Sequence, residues 1–150
     1  MGVKEGLQVD LRDAIRSRDS DRVSVIRLLR NSIQYLEKSQ GKPLNDDDVI
    51  MVVARQANQC RESIEAFLAG NRQDLADKEQ LELAILETYL PTQMTRDQLI
   101  ELAHQSITEV GATGLNEKGK VMARLMPQIR GKADGALANE LVMAILSGSL

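Results

Sequence analysis

Apolar positions recur along this chain every three or four residues, the spacing that puts side chains on one face of an α-helix. Leu7, Leu11 and Ile15 form the first stripe, in a helix predicted over residues 3–17. Val23, Ile26, Leu29, Ile33 and Leu36 form the second. It starts at Asp19, whose carboxylate suits the free N–H groups of a first turn, and stops at Gly41-Lys42-Pro43. The third helix starts at Asn45, carries Ile50, Val53, Ala57, Ile64, Phe67 and Leu68, and ends at Gly70. Asn71 caps a fourth, with Leu75, Leu83, Leu86 and Leu90, which Pro91 cannot continue. Residues 90–94 read as a linker. Thr95 and Gln98 then form a capping box for a fifth helix ending at Gly111. A sixth is predicted from Asn116 to Met126, stopped by Pro127. Asp134 caps a seventh, with Leu137, Leu141, Ile145 and Leu146, ended by Gly148.

No strand-like alternation survives this reading. The expected fold is all-α, a four-helix N-terminal domain over residues 1–91 and a three-helix tail domain over 92–150. Short loops imply antiparallel neighbours.

Composition supports helices. Among 150 residues, 43% are apolar, enough for a core. The aromatic residues are Tyr35, Phe67 and Tyr89 alone, so the core is built from aliphatic side chains that lose little rotamer freedom in helices. The single cysteine, Cys60, excludes an intramolecular disulfide and a Cys-rich zinc site, and reads as a small buried thiol. The single histidine, His104, reads as a surface or packing residue. Asp46, Asp47 and Asp48 open the third helix, where carboxylates favour the positive end of the dipole, so they read as capping and not as metal ligands. No metal or cofactor is expected.

No apolar run reaches the ~20 residues that span a bilayer, so no membrane partner is expected. The first fifteen residues carry charges where a secretory signal needs an apolar stretch. Gly6 stands where a myristoylation signal needs Ser or Thr. A cytoplasmic protein is the default.

Charge is unevenly distributed. The net charge of −3 argues against generic nucleic-acid binding. Residues 1–91 carry 13 Lys and Arg against 16 Asp and Glu, and residues 92–150 carry 6 against 6. Within that neutral tail, Lys118, Lys120, Arg124, Arg130 and Lys132 fall within fifteen residues. Two glycine contexts hold them, Lys118-Gly119-Lys120 and Arg130-Gly131-Lys132, and glycine allows close backbone approach. The second context precedes the seventh helix, whose N-terminus is a natural seat for an anion such as an RNA phosphate. A solvated basic face is the alternative reading. The tail after Met94 has no aromatic residue, so it offers no stacking platform for splayed bases.

Catalytic patterns are missing. HExxH, GxSxG and GxGxxG do not occur, and a Walker A loop, GxxxxGK followed by Ser or Thr, is absent. Cys60 and His104 fall in different predicted domains. Arg27 and Arg30 either line a groove between helices or face solvent. No catalytic residue is assigned.

Several short motifs occur together and in order: Ser24-Val25-Ile26-Arg27, Gly70-Asn71-Arg72-Gln73-Asp74-Leu75, Tyr89-Leu90-Pro91 and Val110-Gly111-Ala112-Thr113. The strongest are Gly119-Lys120-Val121-Met122, Met126-Pro127 and Gly131-Lys132-Ala133-Asp134-Gly135. With these the chain resembles the GatB/YqeY family, and within it the YqeY-like branch. The resemblance implies that the tail is similar to the helical tail domain of the B subunit of the glutamine-dependent tRNA amidotransferase, which contacts the tRNA elbow. The kinase-like catalytic portion of that subunit has no counterpart here. The family's label, carbon–nitrogen ligase with glutamine as amido donor, belongs to the larger enzyme. The resemblance therefore implies a non-catalytic accessory protein whose tail meets the tRNA backbone, and the basic-glycine cluster supplies the contacts expected for it: Lys118, Lys120, Arg124, Arg130, Gly131 and Lys132. Amidotransferase or aminoacyl-tRNA synthetase components are the implied protein partners. A helical protein-interaction module is one alternative, and amidotransferase activity in its own right, as the family's label has it, is the other.

Overall fold

The computed structural model describes residues 2–150, so Met1, the first residue of the leader reading, lies outside the described residues. Seven α-helices and one 3₁₀ turn follow in order: α1 (Val3–Arg16), α2 (Ser20–Gln40), α3 (Asp46–Ala69), α4 (Gln73–Glu87), α5 (Arg96–Val110), the turn at Leu115–Glu117, α6 (Lys118–Ile129) and α7 (Gly135–Leu146). The fold is all-α, with no strand among the described residues. No described helix is long and apolar enough to cross a membrane. By contact density the chain divides into two compact units, Met1–Pro91 and Thr92–Leu150.

In the first unit, α3 and α4 make the most extensive pairing, with α1 packed on α2 and α2 on α4. The core joins Leu7 and Leu11 of α1, Val25, Ile26, Leu29 and Ile33 of α2, Val49, Val53, Ala57 and Ile64 of α3, and Leu83 and Leu86 of α4. Polar ties close it at two places. Glu37 Oε2 accepts from Lys4 Nζ at 2.7 Å and from the backbone N–H of Leu44 at 2.8 Å, so one carboxylate joins α1, α2 and the following loop. Tyr89 donates its hydroxyl to Asp10 Oδ2 at 2.6 Å. Burial first, and then that bond, raise the phenol pKa.

In the second unit, α5, α6 and α7 each pack on the other two. Leu99, Ala103, Val121, Leu125, Ile129, Ala138, Leu141 and Val142 fill the centre. Thr95 and Gln98 make the reciprocal capping box that the sequence implies.

Four local expectations change. Ile15 is 49% exposed, and Ala14 continues the Leu7–Leu11 stripe, because a period of 3.6 residues reaches position 14 before 15. Asn71 does not cap α4. It takes the left-handed conformation (φ +57°), which asparagine tolerates, while Gly70 stays at φ −90° and Arg72 is the capping position. Pro127 does not stop α6, which continues to Ile129. Proline removes one N–H near the helix end, and Ala123, whose carbonyl loses that donor, is exposed. The predicted linker is also shorter: Leu90 packs on the first core and Met94 on the second.

Candidate nucleic-acid interface

The basic cluster is carried by α6 and by the turn that follows it. Val121, Leu125 and Ile129, spaced four apart, form the buried stripe of this helix. Lys120 and Arg124, also four apart, are exposed, while Lys118 at the first position is half-buried. Arg130 closes the helix in an extended conformation (φ −55°, ψ 123°), and Arg130 and Lys132 are both exposed. The rise from Lys118 to Ile129 is roughly 16 Å at 1.5 Å per residue. The cations therefore do not converge on one spot. Lys118 and Lys120 mark one end of α6, Arg130 and Lys132 the other, and Arg124 lies between.

Their electrostatic environments differ. Arg124 Nε donates to Glu109 Oε2 on α5, and that bond holds the Glu109 carboxyl below its ordinary pKa. Lys118, Lys120, Arg130 and Lys132 have no ion pair among the described residues. Two further carboxylates of the unit are committed to backbone. Glu117 accepts from the Thr113 N–H at 3.0 Å, and Asp134 from the Ala136 N–H at 3.0 Å.

The turn after α6 is closely built. Gly131 is buried with φ +72°, a conformation that costs any residue bearing a Cβ. Its carbonyl accepts from Gln93 Nε2 at 2.7 Å, and the Lys132 carbonyl accepts from the Met94 N–H at 2.8 Å. The left-handed turn by itself accounts for the glycine, and its burial keeps a partner's phosphate from close approach. Asp134 occupies the N-terminus of α7 with its own carboxylate, so an anion seated there would face a like charge. Gly119 lies inside the first turn of α6 with open space around its Cβ direction.

The other residues singled out are dispersed. Arg27 is exposed, and Arg30 lines a cavity of about 240 Å³ between α1 and α2 with Lys4, Gln8 and Glu37. His104 is exposed on α5. The acidic run does cap: Asn45 and Asp48 form a capping box, and Asp46 accepts from the Val3 N–H at 3.0 Å. Cys60 is buried, but not in the bland surroundings expected of it. It meets Glu79 and Glu82 of α4 in a cavity of about 260 Å³. The i, i+3 spacing of those glutamates was visible in the sequence, whereas their pairing with α3 was not.

A family model described as "Yqey-like protein" matches residues 4–146. A relative from Pyrenophora tritici-repentis, "Altered inheritance of mitochondria protein 41, mitochondrial", is 32% identical over 133 residues, 85% of this chain and 71% of that protein. Proteins of the same name from Eremothecium gossypii and Saccharomyces cerevisiae are 35% identical over 85 residues and 26% over 129. These matches cover 56% and 85% of this chain, and 46% and 70% of those relatives. The chain thus spans between about half and seven tenths of the curated relatives' length. Those relatives are named as mitochondrial proteins, a finding that overturns the cytoplasmic default drawn from the first fifteen residues. With the family model covering nearly its whole length, the chain belongs to the YqeY-like protein family.

Proposed function

We propose that this protein is a non-catalytic helical accessory factor whose second unit contacts the sugar–phosphate backbone of tRNA. One observation carries the reading: Lys118, Lys120, Arg130 and Lys132, at the two ends of α6, have no ion pair among the described residues, while Glu109, Glu117 and Asp134 of the same unit are held by Arg124 and by backbone N–H groups. Asp97 and Glu101 lie on α5 and Glu140 on α7, so the positive charge is local to α6 on a unit of zero net charge. The resemblance to the amidotransferase tail supplies the substrate class. With the ends of α6 roughly 16 Å apart, the two cation pairs would meet separate stretches of backbone and read shape, not base identity.

Bulk tRNA titration by filter binding tests this. Lys120→Glu combined with Lys132→Glu, one change at each end of the helix, is expected to weaken binding by about tenfold or more, since each lost phosphate contact is felt in affinity. Unchanged affinity would remove the site. Amide transfer is not part of the proposal. Under it, the chain alone makes no Gln-tRNA from Glu-tRNA, ATP and glutamine.

A second reading rests on the first unit. Leu28 and Tyr35, seven residues apart on α2, are 58% and 72% exposed. Tyr35 lines an open groove of about 380 Å³ with Val52 and Arg55 of α3. Exposed aromatic residues beside a groove suit a protein partner. Recovery of proteins but no RNA in a pull-down after nuclease treatment would favour that reading.

A further inference from the structure

A thiol and two carboxylates converge in the first unit, on helices other than those that carry the proposed RNA-contacting residues. Cys60 comes from α3, and Glu79 and Glu82 come from successive turns of α4, the helix paired most extensively with α3. One ligand atom from each of the three lies within 4.8 Å of the other two. Cys60 is 7% exposed and has no disulfide partner. The three groups line a cavity of about 260 Å³ that Gln56, Gln59 and Ser63 also border. That volume leaves room for water beside an ion.

We propose that Cys60 Sγ and the carboxylates of Glu79 and Glu82 bind one divalent cation of the zinc and cobalt class, with a fourth position left to solvent or a side-chain oxygen. The donor set decides the class. A thiolate disfavours magnesium and calcium, which take oxygen ligands, and one sulfur with two oxygens suits zinc or cobalt. A tetrahedral site would bring the donor atoms to roughly 3.3–3.5 Å from one another, given metal–sulfur and metal–oxygen distances of about 2.3 and 2.0 Å. The observed spread is one that the flexible glutamate chains can close.

The surroundings of the thiol are acidic. Burial and the facing Glu79 push the Cys60 thiol up to about 12, with Glu82 adding to the effect. Burial and Glu79 also raise Glu82, against which Lys78 acts. Arg61, the cation that lowers Cys60, is itself bridged to Glu87 at 3.5 Å. Burial and these carboxylates therefore hold Cys60 and Glu82 toward their protonated forms. A dication reverses the sign of each effect, and on binding the thiol releases its proton to solvent.

The test uses tag-free full-length protein and cobalt(II) chloride, followed by zinc(II) competition. The expected result is one equivalent of cobalt per chain, a thiolate-to-cobalt charge-transfer band in the near ultraviolet, proton release, and loss of the band when zinc is added. Cys60→Ser should abolish the band. Glu79→Gln with Glu82→Gln should weaken cobalt binding about tenfold or more. The double variant removes facing like charges and is expected to stay folded, so it decides the matter if the cysteine variant does not fold. Binding without the band, unchanged affinity in the glutamine variant, or no stoichiometric uptake would each overturn the assignment.

Discussion

Ser106 shows how far side-chain identity and position can disagree. It lies on the Leu99–Ala103 stripe of α5, where helical spacing demands an apolar group, and it is 1% exposed with no hydrogen-bond partner for Oγ among the described residues. An unsatisfied buried hydroxyl costs on the order of 1–3 kcal/mol. Ser106→Ala should therefore raise stability by roughly 1 kcal/mol, read as a higher urea midpoint at unchanged slope. A loss of that size would mean the hydroxyl has a partner. The periodicity placed position 106 on the core face, but its polar identity hid it from an apolar count. Ile15 and Ala14 show the converse, since the larger residue drew the stripe one position too far. Glu37 was illegible for another reason: its partners Lys4 and Leu44 lie 33 and 7 residues away, and nothing local pairs them.

At the scale of elements, four helix starts and the ends at Gly41, Gly70 and Gly111 were legible, whereas the cap of α4 and the end of α6 were not. Asp19, Asn45, Thr95 and Asp134 each cap as their side chains dictate, because an N-cap is chemistry within three residues. Ends depend on what the chain meets next. Pro127 sits inside α6 because Leu125 and Ile129 are both buried, and ending the helix at Met126 would take Ile129 off the stripe. Gly131 then reverses the chain so that its carbonyl and that of Lys132 meet Gln93 and Met94. Gly131→Ala should destabilise the second unit by about 1–2 kcal/mol, the cost of a Cβ in the left-handed region. It should leave tRNA affinity unchanged below the unfolding transition, because the glycine serves the turn. Affinity lost in a fully folded variant would return Gly131 to the interface.

Across the whole molecule, acid acts in two opposed ways. Hydrogen bonds from Lys4, Arg72 and Arg124, respectively, hold Glu37, Asp74 and Glu109 below the ordinary carboxylate range. Their contributions are present above that range and are lost as pH falls through the lowered values. Glu82 is raised, chiefly by burial, so its folded state is relieved as pH falls through its raised value. The thermal midpoint should therefore rise as pH falls through the raised value of Glu82 and fall again at lower pH, and Glu82→Gln should flatten that rise while leaving the loss at lower pH. A midpoint that falls steadily from neutral pH downwards would contradict the Glu82 effect.

Under the proposed function, Lys118, Lys120, Arg130 and Lys132, which have no ion pair among the described residues, meet RNA phosphates while Arg124 stays with Glu109. The salt dependence of tRNA binding tests it most directly. Four contacts predict a log–log slope of roughly −2.8 to −3.6, at ~0.7–0.9 per phosphate, falling by about half in the Lys120→Glu, Lys132→Glu variant. A slope near zero, or one that the double variant leaves unchanged, would contradict the account.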